Sequence, residues 1–228
     1  MSSIALPTPL SHAYRFWQTT VGKKAIMATT GVVLFGFVLG HLVGNLQAFE
    51  GRAKLDAYGA LLRSFPLELY AVRLVLLLCV TLHIVTTVQL ALLKSRARPV
   101  GYVKKNNAAA SYASRTMYWS GPIVLAFIIY HLAQFTFLYT DPRYVEGRIY
   151  DNLVLGFQNY WISGFYIVSM ILLGMHLSHG IWSMFQSVGI LSPAYAPLMK
   201  RTAQVLAIVI TVGFISIPVA VLAGVIHL

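Results

Sequence analysis

The chain has 228 residues and a net charge of +11, yet only 10% of its residues are charged while 58% are hydrophobic. Soluble domains average about 25% charged and about 45–50% apolar residues, so this chain has too few polar residues to cover a water-soluble globule. The basic residues lie in short clusters between long uncharged stretches, a pattern that favours a membrane protein over a nucleic-acid-binding one.

Five stretches are apolar enough and long enough to cross a hydrocarbon core about 30 Å thick, which needs about 20 helical residues. They cover residues 25–47, 72–93, 117–139, 160–186 and 203–227. No segment between them is long enough to separate two domains. The sequence therefore predicts one all-α membrane domain over 1–228, a bundle of five transmembrane helices.

Basic residues predict the orientation, because Lys and Arg near span ends stay on the cytoplasmic side. One side carries eleven basic residues and no acid: Arg15, Lys23, Lys24, Lys94, Arg96, Arg98, Lys104, Lys105, Arg115, Lys200 and Arg201. The other side carries six of each sign, so its net charge is zero. We expect the N-terminus inside and the C-terminus outside. Residues 1–22 lack the basic start of a signal peptide, and Tyr14 to Trp17 are expected to form an interfacial anchor.

Four of the seven histidines fall one to each of the first four spans: His41, His83, His131 and His176. Ionisable residues inside a bilayer are costly and are by default functional. At about 1.5 Å per helical residue, His41 and His131 lie about 25 Å above the inner helix ends, and His83 and His176 about 16 Å above them. The depths predict two pairs, His41 with His131 and His83 with His176.

Two neutral imidazoles facing each other in lipid suit haem iron, which needs only axial ligands from the protein. Zinc would require four ligands, and Cys79 is a lone cysteine. We therefore predict two bis-histidine haems b. By spacing alone His179 is a rival to His176. Gly36, Gly40 and Gly44 offer a groove for either a helix or a flat porphyrin.

At these residues the chain resembles the single-chain, five-helix dihaem cytochrome b anchor of succinate dehydrogenases and fumarate reductases, the succinate:quinone oxidoreductases. The resemblance covers nearly the whole chain and rests on Gly40-His41-Leu42-Val43-Gly44-Asn45, Thr81-Leu82-His83, Tyr130-His131-Leu132, Gly164-Phe165-Tyr166-Ile167-Val168 and His176-Leu177-Ser178-His179-Gly180-Ile181-Trp182-Ser183. In the last block the family's ligand is the first histidine, which favours His176 over His179.

The resemblance implies an electron-transfer subunit of a respiratory-chain and tricarboxylic-acid-cycle complex in the bacterial cytoplasmic membrane. A flavoprotein subunit holding the succinate site and an iron–sulfur subunit would dock on the cytoplasmic face, and the complex can associate further. Menaquinone or another quinone would react in this chain, near the outer haem. A quinone site needs an apolar slot with one or two hydrogen-bonding groups. The candidates are Asn45, Gln47 and Glu50 near His41 and Gln134 one turn past His131, and the alternative is that these residues solvate helix ends.

Two alternatives stay open at this point. The chain can be the haem b anchor of another respiratory oxidoreductase, such as a formate dehydrogenase or hydrogenase, although those anchors usually draw ligands from fewer helices. It can also be a haem-free transporter or anchor whose histidines bind protons or pack helices. Many transporters are built from repeats, and five spans cannot be halved.

Overall fold

The computed structural model describes residues 9–97, 112–187, 189 and 192–228, and every regular element within these ranges is helical. They contain a 3-10 turn at Gln47–Glu50 and the α-helices α1 (Pro9–Gln18), α2 (Thr20–Leu46), α3 (Arg52–Arg63), α4 (Pro66–Arg96), α5 (Tyr112–Phe135), α6 (Ile149–Phe157), α7 (Tyr160–Ser187) and α8 (Ala196–Leu222).

Four helices are long and apolar enough to cross a membrane: α2 with its 3-10 turn, α4, α7 and α8. The prediction of an all-helical membrane protein is thus confirmed. The expected span 117–139 corresponds to α5, whose apolar stretch from Trp119 to Phe135 is shorter than the other four. Most helices run beyond the expected spans into polar residues, whereas α5 and α8 end four to five residues earlier than predicted.

Helix α7 lies at the centre of the bundle, where it packs against α8, α5 and α2, while α4 packs on α2. Small residues bring the helices close together, as is common in membranes. Gly174 lies so close to Thr211 that no Cβ fits between them, and Gly213 of α8 lies against Leu42. Around these contacts is a buried apolar cluster that includes Leu177, Ile181, Ala203, Ala207 and Ile210.

Two short helices, α3 and α6, cover one end of the bundle, which we call the cap end. The sequence indicated only connecting segments at 48–71 and 140–159. Both helices contribute to one apolar cluster through Leu55, Leu153 and Val154. The Asp56 Oδ1 atom accepts a hydrogen bond of 2.9 Å from the backbone N–H of Tyr150, so a side chain of α3 caps the start of α6.

The chain after α8 also belongs to the cap. Helix α8 ends at Leu222, whereas the sequence placed the end of this span at 227. Ile226 is buried in the cap cluster, and the Tyr150 hydroxyl donates a hydrogen bond of 3.0 Å to the backbone oxygen of His227. His227 itself is exposed, consistent with its place at the end of the chain rather than inside the bundle.

The opposite end, which we call the basic end, carries the described residues Lys23, Lys94 and Lys200. The expected interfacial segment Tyr14 to Trp17 lies in α1, and the Lys23 ammonium donates a hydrogen bond of 2.7 Å to the Trp17 backbone oxygen. Arg98, Lys104 and Lys105 lie outside the described residues, as does the side chain of Arg115.

Candidate functional site: two histidine pairs

The first pair, which we call the cap-side pair, consists of His41 of α2 and His131 of α5. Their ring centroids are 5.7 Å apart and the rings are nearly perpendicular, at 86°. Phe37 stacks on His41 at 5.2 Å and Phe127 stacks on His131 at 5.6 Å, each from one helical turn earlier. Phe214 of α8 lies 6.0 Å from His41. The pair is therefore surrounded by aromatic rings.

The second pair, which we call the basic-side pair, consists of His83 of α4 and His176 of α7. Their ring centroids are 6.3 Å apart, with an angle of 55° between the rings. The structure thus brings together the same two pairs that the depths group. His176 and not His179 is the residue of α7 that faces His83, and the remaining histidine, His12, is exposed near the start of the chain.

The two helices of each pair are not close packing partners in the part of the chain that the structure describes. Helix α2 packs on α4, α7 and α8, whereas α5 packs on α7 and α6. Likewise α4 packs on α2 and α3 rather than on α7. Each pair therefore links helices whose backbones stay apart, so long side chains or a bound group must fill the space between them.

Glycines near the histidines have different surroundings. Gly44 packs against the Tyr58 ring, where an added Cβ would come within 2.7 Å, so this glycine serves helix packing. Gly36 and Gly40 are exposed, and a Cβ there would meet nothing within 4 Å. Gly31, which the sequence reasoning missed, lies beside the basic-side pair, since a Cβ there would be 3.5 Å from Cε1 of His83.

In each pair a hydrogen bond at Nδ1 orients one imidazole ring, that of His83 or that of His131. The Nδ1 atom of His83 lies 3.1 Å from the backbone oxygen of Met27, which can only accept, so Nδ1 carries the hydrogen. The Thr30 hydroxyl lies 3.3 Å from the same nitrogen. This arrangement leaves the lone pair on Nε2, and it is the usual way in which proteins orient a metal-binding imidazole.

A chain of buried hydrogen bonds holds His131. Its Nδ1 lies 3.2 Å from the Tyr166 hydroxyl, which donates to Oε1 of Gln134 at 2.9 Å. The Tyr166 oxygen therefore accepts from Nδ1, and the lone pair of His131 is again on Nε2. Gln134 is fully buried and donates through Nε2 to the Tyr144 hydroxyl at 2.9 Å. Burial raises the pKa of Tyr144, so this phenol stays neutral.

The sequence indicated Gln134 but missed Tyr166, which lies in another helix, and Tyr144, which lies in the loop after α5. Asn45, also indicated by the sequence, instead donates to the His41 backbone oxygen of its own helix at 2.7 Å. Gln47 and Glu50 lie in the 3-10 turn, where Glu50 forms a long ion pair of 3.8 Å with Lys54. Of the four polar residues, Gln134 is the one that the structure connects to a histidine ring.

The donor set fits haem b. Each pair offers two imidazoles, and haem iron needs only axial ligands from the protein because the porphyrin supplies the rest. Two imidazoles that bind one ion from opposite sides, with metal–nitrogen bonds of about 2 Å, have ring centres about 6 Å apart. The Nδ1 atom of His176 is buried without a hydrogen-bond partner in the described structure.

Comparisons with models of protein families, with curated proteins and with solved structures find no match to this chain. The geometry of the two histidine pairs and the residues around them are therefore the evidence for what the protein does.

Proposed function

We propose that the chain is the membrane-anchor cytochrome b subunit of a succinate:quinone oxidoreductase. The observation that carries the proposal is the pair of facing imidazoles at each of two depths, drawn from four different helices. Histidines that only pack helices would have no reason to meet in pairs on helices that are not close neighbours.

In this proposal α5 is the fifth span. Its 24 residues extend over about 36 Å, enough to cross the hydrocarbon core. The basic end faces the cytoplasm, since Lys and Arg are retained there. Exposed aromatic residues at the cap end, Tyr139, Tyr160 and Trp161, fit the aromatic belt of the opposite interface.

His41 and His131 would hold one haem b, and His83 and His176 the other. Haem supplies reversible one-electron transfer when bound. With two imidazoles holding each haem, neither site would keep an open position for oxygen or another small ligand. The Met27 carbonyl and the Tyr166 hydroxyl hold the Nδ1 hydrogens and keep the rings oriented, while the aromatic residues around the cap-side pair exclude water.

The partners are those that the resemblance implies, and the charge distribution offers a face for them. An iron–sulfur subunit and a flavoprotein with the succinate site would dock on the cytoplasmic face, which carries eleven basic residues and no acid. Electrons would pass from there to the basic-side pair and then to the cap-side pair. Menaquinone or another quinone would react in this chain near the cap-side pair, in the bacterial cytoplasmic membrane.

The test is to purify the chain in detergent together with the subunits that accompany it. A pyridine haemochrome assay should return two haems b per chain, and succinate should reduce a menaquinone analogue. A haem content near zero would remove the proposal and favour a haem-free anchor. Two haems accompanied by formate dehydrogenase or hydrogenase subunits would keep the cofactors but replace the succinate assignment.

A further inference from the structure

A groove of about 390 Å³ lies between α7 and α8, two helices that are long and apolar enough to cross a membrane. Its lining is mostly apolar or small, with Gly174 and Ser178 from α7 and Ala207, Ile208 and Thr211 from α8. The Ile208 side chain is 61% exposed. The groove is thus open to the membrane rather than closed inside the protein.

The α8 side of this groove continues toward the basic end as one stripe of the helix. Gln204, Ala207, Ile208 and Thr211 recur at the three- and four-residue spacing of a single helix face. One turn earlier, the same stripe contains Lys200 and Arg201. Both are exposed, and neither forms an ion pair within the described residues.

Gln204 lies where the groove begins and is also exposed, and its amide has no hydrogen-bond partner in the described part of the chain. An amide at the edge of the hydrocarbon has few water partners, and lipid tails offer it no hydrogen bonds. A ligand that fills the groove can supply the hydrogen-bond partner that this amide lacks.

From the basic end inward, the stripe presents two cations, an amide and an apolar groove. These groups match the phosphate, the ester carbonyls and the acyl chain of a phospholipid, in that order. The headgroup layer between the phosphates and the edge of the hydrocarbon is about 5–7 Å thick, close to one helical turn. The predicted span 203–227 puts Gln204 at the edge of the hydrocarbon, near the depth of the ester carbonyls. The two cations then lie one turn further out, at the depth of a phosphate, and the groove lies along the acyl chain. We propose that α7 and α8 bind one anionic phospholipid here.

Charge favours a lipid over a second copy of the chain. Two copies packed groove to groove in one membrane would bring their Lys200 and Arg201 side chains together at the same depth. Like charges at that distance repel, whereas an anionic headgroup neutralises them. The proposal does not rest on the histidine pairs. It assigns Lys200 and Arg201 to a lipid headgroup, which leaves the other nine basic residues of this face for the proposed partner subunits.

The test is native mass spectrometry of the protein purified in detergent with its accompanying subunits, titrated with dioleoyl phosphatidylglycerol or dioleoyl phosphatidylcholine. We expect one tightly bound phosphatidylglycerol. Lys200→Gln combined with Arg201→Gln should weaken its binding about 30-fold, at about 1 kcal/mol per basic residue. Gln204→Leu should weaken both lipids, because both carry ester carbonyls.

The matched control is Lys94→Gln combined with Arg96→Gln, which removes the same charge from exposed residues at the basic end of α4. This control should leave the tight phosphatidylglycerol bound. An equal loss in the control would mean general attraction by the basic end and would overturn the site. A dimer that Gln204→Leu dissociates, with no tightly bound lipid, would overturn it in favour of a second copy.

Discussion

The cap-side pair lies beneath α3 and α6 among aromatic rings, whereas the basic-side pair lies nearer the opposite end with fewer aromatic contacts. The hydrogen-bond acceptors that orient the histidines also differ between the two pairs. His131 is held by a tyrosine whose hydroxyl belongs to a buried side-chain network, and His83 is held by a backbone carbonyl. A phenol oxygen accepts more weakly than a carbonyl, so the two proposed haem sites would have different electronic properties although all four ligands are histidines.

Substituting one of the four predicted haem ligands should change the haem content more than any other variant. His41→Ala or His131→Ala should remove the cap-side haem, and His83→Ala or His176→Ala the basic-side haem, so that haem content falls from two to about one per chain. The pyridine haemochrome assay measures the amount, and a redox titration shows which haem remains.

The control for these variants is His179→Ala, which changes a histidine one turn from His176 that does not face His83. It should retain two haems. A loss of haem in His179→Ala with full content in His176→Ala would reverse the ligand assignment on α7.

A second variant affects the basic-side pair alone. Gly31→Leu would press a larger side chain against the His83 ring, since even a Cβ at Gly31 lies 3.5 Å from Cε1. We expect this variant to lose most of the basic-side haem and to keep the cap-side haem. The matched variant Gly36→Leu, at an exposed glycine with open space around it, should keep both. Equal loss in the two variants would mean that leucine simply disturbs α2.

A smaller effect should follow from weakening the support of the cap-side pair. Tyr166→Phe removes the acceptor of the His131 Nδ1 hydrogen, which makes the imidazole a poorer electron donor. The midpoint potential of the cap-side haem should rise by about 20–60 mV, the electrical equivalent of one hydrogen bond. The potential of the basic-side haem should not change.

The matched control is Tyr130→Phe, because the Tyr130 hydroxyl has no hydrogen bond among the described residues although its ring lies 6.3 Å from that of Tyr166. A similar shift in both variants would assign the effect to packing. A shift of the basic-side haem instead would contradict the assignment of Tyr166 to His131.

The smallest effect concerns the cap. Asp56→Ala removes the carboxylate that caps the start of α6, which should lower the free energy of unfolding by about 1 kcal/mol. Thermal unfolding in detergent measures this change, with Glu146→Ala, at an exposed acid in the loop before α6, as the control. If Asp56→Ala loosens only the region around the cap-side pair, heating this variant should release the cap-side haem before the basic-side haem. Simultaneous release from both sites would show that the bundle unfolds as one unit.

Sequence reasoning reached the helical spans and the histidine pairs because both depend on quantities that the chain displays locally. Apolar run length indicates a span, and residue number along a helix gives depth at 1.5 Å per residue. These two quantities were enough to group His41 with His131, although 90 residues separate them.

The cap and the hydrogen-bonded network depend instead on contacts between distant segments. Helices α3 and α6 are short and become stable by packing on each other, so the sequence of each alone indicates only a connection. Tyr166 lies 32 residues from Gln134 in another helix, and Tyr144 lies in the loop ten residues after Gln134. Nothing in the local pattern distinguishes these tyrosines from interfacial ones.

Haem content in two double variants tests the pairing of His41 with His131 and of His83 with His176. His41→Ala with His131→Ala removes both ligands of one site and should leave one haem b per chain. His41→Ala with His83→Ala removes one ligand from each site and should leave none. Equal haem content in the two double variants would contradict the pairing.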